Sequence, residues 1–183
     1  ASELSGGYSS ADNSAELISP DIDLSSLDGN LRLGFKTWWE IESVNPNSSG
    51  YDLMTISVST DSGTTWTKIA RLNPLSDPQT NLDKSSIPFS NTGFNSAPTW
   101  TEQETISLTD ADGNSVAGNT IRLKFTFETV DYLYNGFRGW MIDDLYIQEG
   151  TGTFPAFEDA FSYDYDDYYN YDDYDYESYY APS

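Results

Sequence analysis

Residues 121–127 read Ile-Arg-Leu-Lys-Phe-Thr-Phe. Apolar side chains fall on Ile121, Leu123, Phe125 and Phe127, and polar ones fall between them. Side chains alternate across a strand, so this spacing gives one apolar face and one wet face, the mark of a half-buried antiparallel strand. The same period of two recurs in residues 31–36 (LRLGFK), 53–60 (LMTISVST), 66–69 (WTKI), 105–108 (TISL) and 141–147 (MIDDLYI). No window of a dozen residues repeats at the 3.6-residue helical period. Turn chemistry separates the runs: Asp28-Gly29-Asn30, Asp61-Ser62-Gly63, Asp112-Gly113-Asn114 and Asn135-Gly136. Short strands between regular turns predict an all-β, antiparallel sandwich or jelly roll.

Two stretches fall outside this rhythm. Residues 73–98 hold four prolines among many Ser, Asn and Asp residues and read as one long loop. Residues 45–50 (NPNSSG) read as a second exposed loop, with the sequon Asn47-Ser48-Ser49.

The last thirty residues, 154–183, differ in kind. They carry nine of the fourteen tyrosines and nine acids, with no lysine or arginine. Such a segment has little aliphatic surface and no counter-charge, so it should not fold alone. The reading divides the chain into a sandwich domain, 1–150, and an acidic, Tyr-rich extended arm, 151–183. Within the arm, Phe161, Tyr163 and Tyr165 alternate with polar residues. Asp166-Asp167 breaks the register, Tyr169 and Tyr171 resume it, and Tyr174 and Tyr176 follow a second break. Phe157 and Tyr168 are assigned to the docking set with them. Thirty residues reach about 100 Å when fully extended, beyond the width of a single small domain. The reading carried forward is an assembly arm that docks on another copy of the chain, as in strand-addition complexes. A ligand for a basic partner, a sulfated tyrosine tract, a cap on its own sandwich and a disordered tail are the competing readings.

The formal charge is −22, of which the body keeps −13. That argues against nucleic acid, whose phosphates need Lys and Arg. It favours cationic partners, divalent ions or high ionic strength. No stretch is long and apolar enough to span a bilayer. The chain has no cysteine and no histidine, which removes disulfides, thiol chemistry, the commonest general base and the commonest zinc ligand. No HExxH metal motif is present and no carboxylate pair stands out as catalytic, so the expectation is a protein that is not an enzyme. The Ser, Thr, Asn, Asp and Tyr content suits an extracellular or cell-surface setting, and a leader removed before Ala1 fits it.

Five segments in order carry a resemblance: LISPDIDLSS (17–26), LRLGFKTWWEIES (31–43), YDLMTISVSTDSGTTW (51–66), the stretch after Trp100, and IRLKFTFET followed by GWMIDDLYI (121–147). Together they resemble the MAM-like jelly-roll domains of secreted bacterial proteins, which accompany immune-inhibitor-A-type metalloproteases and many surface proteins. The resemblance covers about 15–148 and leaves out the arm and the long loop. It implies a structural Ca2+ held by Asp143 or Asp144 with Glu42 and Asp52. The alternative for these acids is a solvated strand edge at 143–144 and an ion pair of Glu42 with Arg138 or Lys36. The loop Asp110-Ala111-Asp112-Gly113-Asn114 starts like a calcium loop but lacks its distal Glu, and an ordinary turn is expected.

Three tryptophans, Trp38, Trp39 and Trp100, are candidates for stacking on glycans. Neighbours on a strand point to opposite faces, so one of Trp38 and Trp39 belongs to the core. In residues 58–66, Val58 and Trp66 are expected to meet in one core across the Asp61–Gly63 turn. The break in alternation at Asp143-Asp144 predicts a bulge. The functional expectation is a non-enzymatic extracellular structural subunit that forms a filament or surface layer through its arm. The alternative is a carbohydrate-binding or adhesive module.

Overall fold

The structure is a computed structural model that describes residues 14–42, 52–72, 88–129 and 133–150. Among the described residues ten strands run in chain order: β1 Ser14–Ile18, β2 Ile22–Asp23, β3 Asn30–Glu42, β4 Asp52–Ser59, β5 Thr67–Arg71, β6 Pro88–Ser90, β7 Gly93–Phe94, β8 Thr101–Ser107, β9 Thr120–Thr129 and β10 Gly139–Gly150. They form two antiparallel sheets. The first runs β1-β9-β4-β5, with β2 continuing the β1 edge along β9. The second runs β10-β3-β6-β7, with β8 paired to β3 below β6.

The alternation seen in the sequence sets the core. Leu31, Leu33, Phe35, Trp39 and Ile41 of β3 face Met54, Ile56 and Val58 of β4 and Ile121, Leu123 and Phe125 of β9. Each fully buried side chain of this size contributes roughly 1.5–3 kcal/mol. Phe35 and Phe125 meet edge to face across the sheets, ring centres 5.6 Å apart. Trp39 meets Phe89 in the same way at 5.2 Å. All the strands read from alternation are present, with ends moved by a few residues.

Two sequence expectations change, and the ordinary turn expected at Asp110–Asn114 is present. The segment read as one long loop contains the β6–β7 hairpin, whose Phe89 and Phe94 rings stack at 4.4 Å; residues 73–87 lie outside the described residues. Trp66 does not join Val58 in the core. It lies beneath Lys124, whose Nζ is 4.8 Å from the ring centre. Lys124 alternates with buried Leu123 and Phe125, so Trp66 is on the opposite face of that sheet. The Asp110–Asn114 segment is a turn: the Asp110 carboxylate accepts the N–H groups of Asp112 and Asn114 at 3.0 and 2.8 Å.

The predicted bulge is present in β10. Asp143 pairs with Lys36 and Tyr146 pairs with Gly34, so two residues of β10 oppose one of β3. Asp144 takes a left-handed conformation at φ 49°, which lets the extra residue be absorbed. Past the bulge, the Tyr146 ring lies over Gly34. A β-carbon at that position would run into Cζ and Oη of the ring and force it aside, so glycine lets the ring lie against the strand.

Candidate functional site

The four acids considered for calcium separate into two places. Glu42 ends β3 and Asp52 begins β4, in different sheets. The Glu42 main-chain N–H donates to Asp52 Oδ2 at 2.8 Å and ties the sheets together at this end. Glu42 is 2% exposed and Asp52 is fully buried. Thr129, the register partner of Asp52, is buried there too. So is Asn135, in the segment that leads into β10 beside the end of β3. Burying a carboxylate costs several kcal/mol unless its charge is compensated, and oxygen donors of this kind suit a hard cation.

Asp143 and Asp144 lie elsewhere. Asp143 is opposite Lys36, six residues back along β3 from Glu42, or roughly 20 Å. Lys36 Nζ pairs with Asp144 Oδ2 at 2.5 Å. The hydrogen bond to Asp144, and then its charge, raise the Lys36 pKa, with Glu102 and Asp143 adding to the effect. The Asp144 N–H also donates to Asp143 Oδ1 at 2.8 Å. Among the described residues no three acids come together as a metal-holding group. Arg138 pairs with Glu40, at 3.0 and 2.5 Å, and Lys36 with Asp144, so neither forms the expected ion pair with Glu42.

The three tryptophans also part company. Trp39 belongs to the core. Trp38 is on the outer face, with the Arg138 guanidinium 5.0 Å from its ring centre. Trp100, just before β8, is 51% exposed. It borders a cleft of about 410 Å3 that Lys36, Thr101, Glu102, Asp143 and Asp144 complete. Register explains the grouping: Asp143 of β10, Lys36 of β3 and Glu102 of β8 form one row across three strands. Paired residues share a face. Alternation put Lys36 and Asp143 on a wet face, but only strand pairing brings Glu102 beside them.

A second cleft opens along the flank where the two sheets end. β1 is the outer strand of one sheet and β10 of the other. Ala15, Leu17, Phe125, Phe127, Trp140 and Ile142 line a space of about 180 Å3 between them. Leu17 pairs with Phe125, so it points toward the interior, yet it is 57% exposed. Trp140 is held in place by its indole N–H, which donates to Thr37 Oγ1 at 2.9 Å. The sequence reading did not single out Leu17, because residues 14–18 are too short for alternation to stand out. The arm residues Phe157, Phe161, Tyr163, Tyr165, Tyr168, Tyr169, Tyr171, Tyr174 and Tyr176 lie outside the described residues.

No family model matches the chain, and no curated protein matches it.

Proposed function

We propose that the chain is a non-enzymatic extracellular structural subunit. Its body is a MAM-like jelly-roll sandwich, and its Tyr/Asp-rich arm docks on a neighbouring copy to build a filament or surface layer. The passage of successive long strands from sheet to sheet, with β3 in one, β4 and β5 in the other, β8 back in the first, and then β9 and β10 apart, supports the jelly-roll assignment. The observation that carries the assembly reading is Leu17. An inward-facing leucine at 57% exposure leaves the flank of the core open, and open apolar strand edges invite pairing.

The arm leaves β10 at Gly150, eight residues past Ile142. β10 itself runs away from the flank cleft of its own subunit between Ile142 and Gly150, which favours the cleft of the next subunit as the docking place. Contacts of this head-to-tail kind do not close on themselves and give helical filaments. At −22 per subunit, copies repel one another, so salt or a divalent cation has to screen them.

In the same reading Ca2+ sits at Glu42 and Asp52, whose buried carboxylates supply hard oxygen donors. When bound, the ion would neutralise charge at the junction of the two sheets. Asp143 and Asp144 lie outside that set.

Light scattering of the purified chain tests the proposal. The full chain forms large particles in calcium-containing buffer, and a chain ending at Gly150 stays monomeric. Assembly that survives removal of 151–183 overturns it. A full chain that remains monomeric while residues 15–17 are protected from exchange points to docking within one subunit.

A further inference from the structure

We propose a second binding site, independent of assembly: the cleft beside Trp100 is a subsite for a neutral pyranose glycan. The aromatic plate is exposed, and an exposed indole at the rim of a cleft presents a flat apolar face to solvent. The rest of the lining is the row Asp143–Lys36–Glu102, joined by Asp144 and Thr101. The cleft volume falls in the small-ligand range, roughly 300–1,000 Å3.

The chemistry of the walls selects the ligand. One face of a pyranose is a patch of C–H groups, which stacks on an indole ring. Its rim is a set of hydroxyls, each both donor and acceptor. The carboxylates of Glu102, Asp143 and Asp144 accept from such hydroxyls, and the Lys36 ammonium donates to them. Three acids against one lysine leave the cleft net negative, which disfavours uronic acids, sialic acids and sulfated sugars. The net charge by itself would admit a cation, which poly-lysine tests below, but the ammonium in the middle of the row adds a donor that a purely acidic cation site lacks. A mixed row of donors and acceptors is best matched by a neutral polyol. The site is also pre-organised. The bulge at Asp144 holds two adjacent carboxylates on the outer face, and the Lys36–Asp144 pair fixes the lysine.

The test is a titration of the full chain followed by amide and indole NMR shifts. The probes are cellohexaose, laminarihexaose, mannohexaose and N-acetylchitohexaose. Polygalacturonate and poly-lysine serve as charged controls. At least one neutral hexasaccharide moves the Trp100 indole N–H together with the Lys36 and Glu102 amides. Trp100→Ala weakens that binding by about tenfold or more, a loss of ~1.4 kcal/mol. Glu102→Gln weakens it less, and Trp66→Phe, on the other sheet, leaves it unchanged. The mapping on the unsubstituted chain does not depend on how any variant folds. Four neutral probes without effect at millimolar concentration overturn the proposal. So does binding that Trp100→Ala leaves intact, or a response to poly-lysine alone.

Discussion

Asp52 Oδ2 accepts the main-chain N–H of Glu42 at 2.8 Å, and this bond joins the last residue of β3 to the first residue of β4 across the two sheets. Asp52→Ala leaves a buried N–H without its acceptor, at a cost of roughly 1–3 kcal/mol. Asp52→Asn keeps an acceptor and costs less. Urea unfolding midpoints should fall in that order. In calcium the unsubstituted chain should melt at a higher temperature, and a chelator should reverse the gain. At a free concentration a hundred times Kd the gain corresponds to about 2.7 kcal/mol. Asp52→Asn should abolish it, whereas Asp143→Asn should not. An equal calcium response in both variants counts against an ion at Glu42 and Asp52.

The fit of Tyr146 over Gly34 predicts a strongly coupled pair. Gly34→Ala drives a methyl group into the ring and should cost about 1–3 kcal/mol, as overpacking does. Tyr146→Ala on its own loses the ring's contacts. Combining the two should cost clearly less than their sum, because the methyl group then has room. A double-mutant cycle in urea measures the coupling, and simple additivity rejects it.

The hairpin between β4 and β5 is tied by one carboxylate. Asp61 accepts the Thr65 N–H at 2.8 Å, the Thr65 hydroxyl at 2.7 Å and the Ser59 hydroxyl at 2.8 Å. These bonds, led by the Thr65 N–H, hold its pKa down to about 2 from an ordinary 3.8. A depressed carboxylate adds stability above its unfolded pKa and loses it as pH falls through the folded value. The turn should therefore stay intact near pH 4 and loosen as pH approaches 2. The Asp61 carboxyl carbon should titrate near pH 2 by NMR. Asp61→Asn should remove the accompanying shift of the Thr65 amide.

Leu17 and Ile18 are both exposed, but they face opposite ways. Leu17 pairs with core Phe125 and Ile18 with surface Lys124. If the flank cleft receives an arm, Leu17→Glu should block assembly and Ile18→Glu should leave it largely intact. Sedimentation of the two variants beside the unsubstituted chain separates them. Equal loss in both would mean a contact along the outer surface of β1 instead.

Much of this fold can be read from alternation alone. The paired periods of β3, β4 and β9 set out the core, the broken period at Asp143-Asp144 marked the bulge, and adjacent Trp38 and Trp39 had to part. What alternation does not carry is register. Glu40 and Glu42 have the same parity on β3, so sequence cannot say which meets Arg138; the pairing of Gly139 with Glu40 decides it. The same pairing sends Asp143 to Lys36 and away from Glu42. Trp66 was misplaced for a related reason. Val58 pairs with Thr67, so Trp66, one residue earlier, takes the opposite face from Val58. The β6–β7 hairpin was hidden because strands of two or three residues are too short to show any period.

The pairing of β3 with β10, Trp39 against Trp140, joins positions a hundred residues apart, and β1 reaches β9 over a similar span. Closing loops of that length comes before any reward from contact, so this topology belongs with slow folders, on a timescale of roughly milliseconds to seconds. The first sheet cannot be completed until synthesis has passed Thr129, nor the second until it has passed Gly150. A nascent chain therefore stays open until the body is nearly finished, and the residues of the arm are the first to emerge alongside a newly closed sandwich.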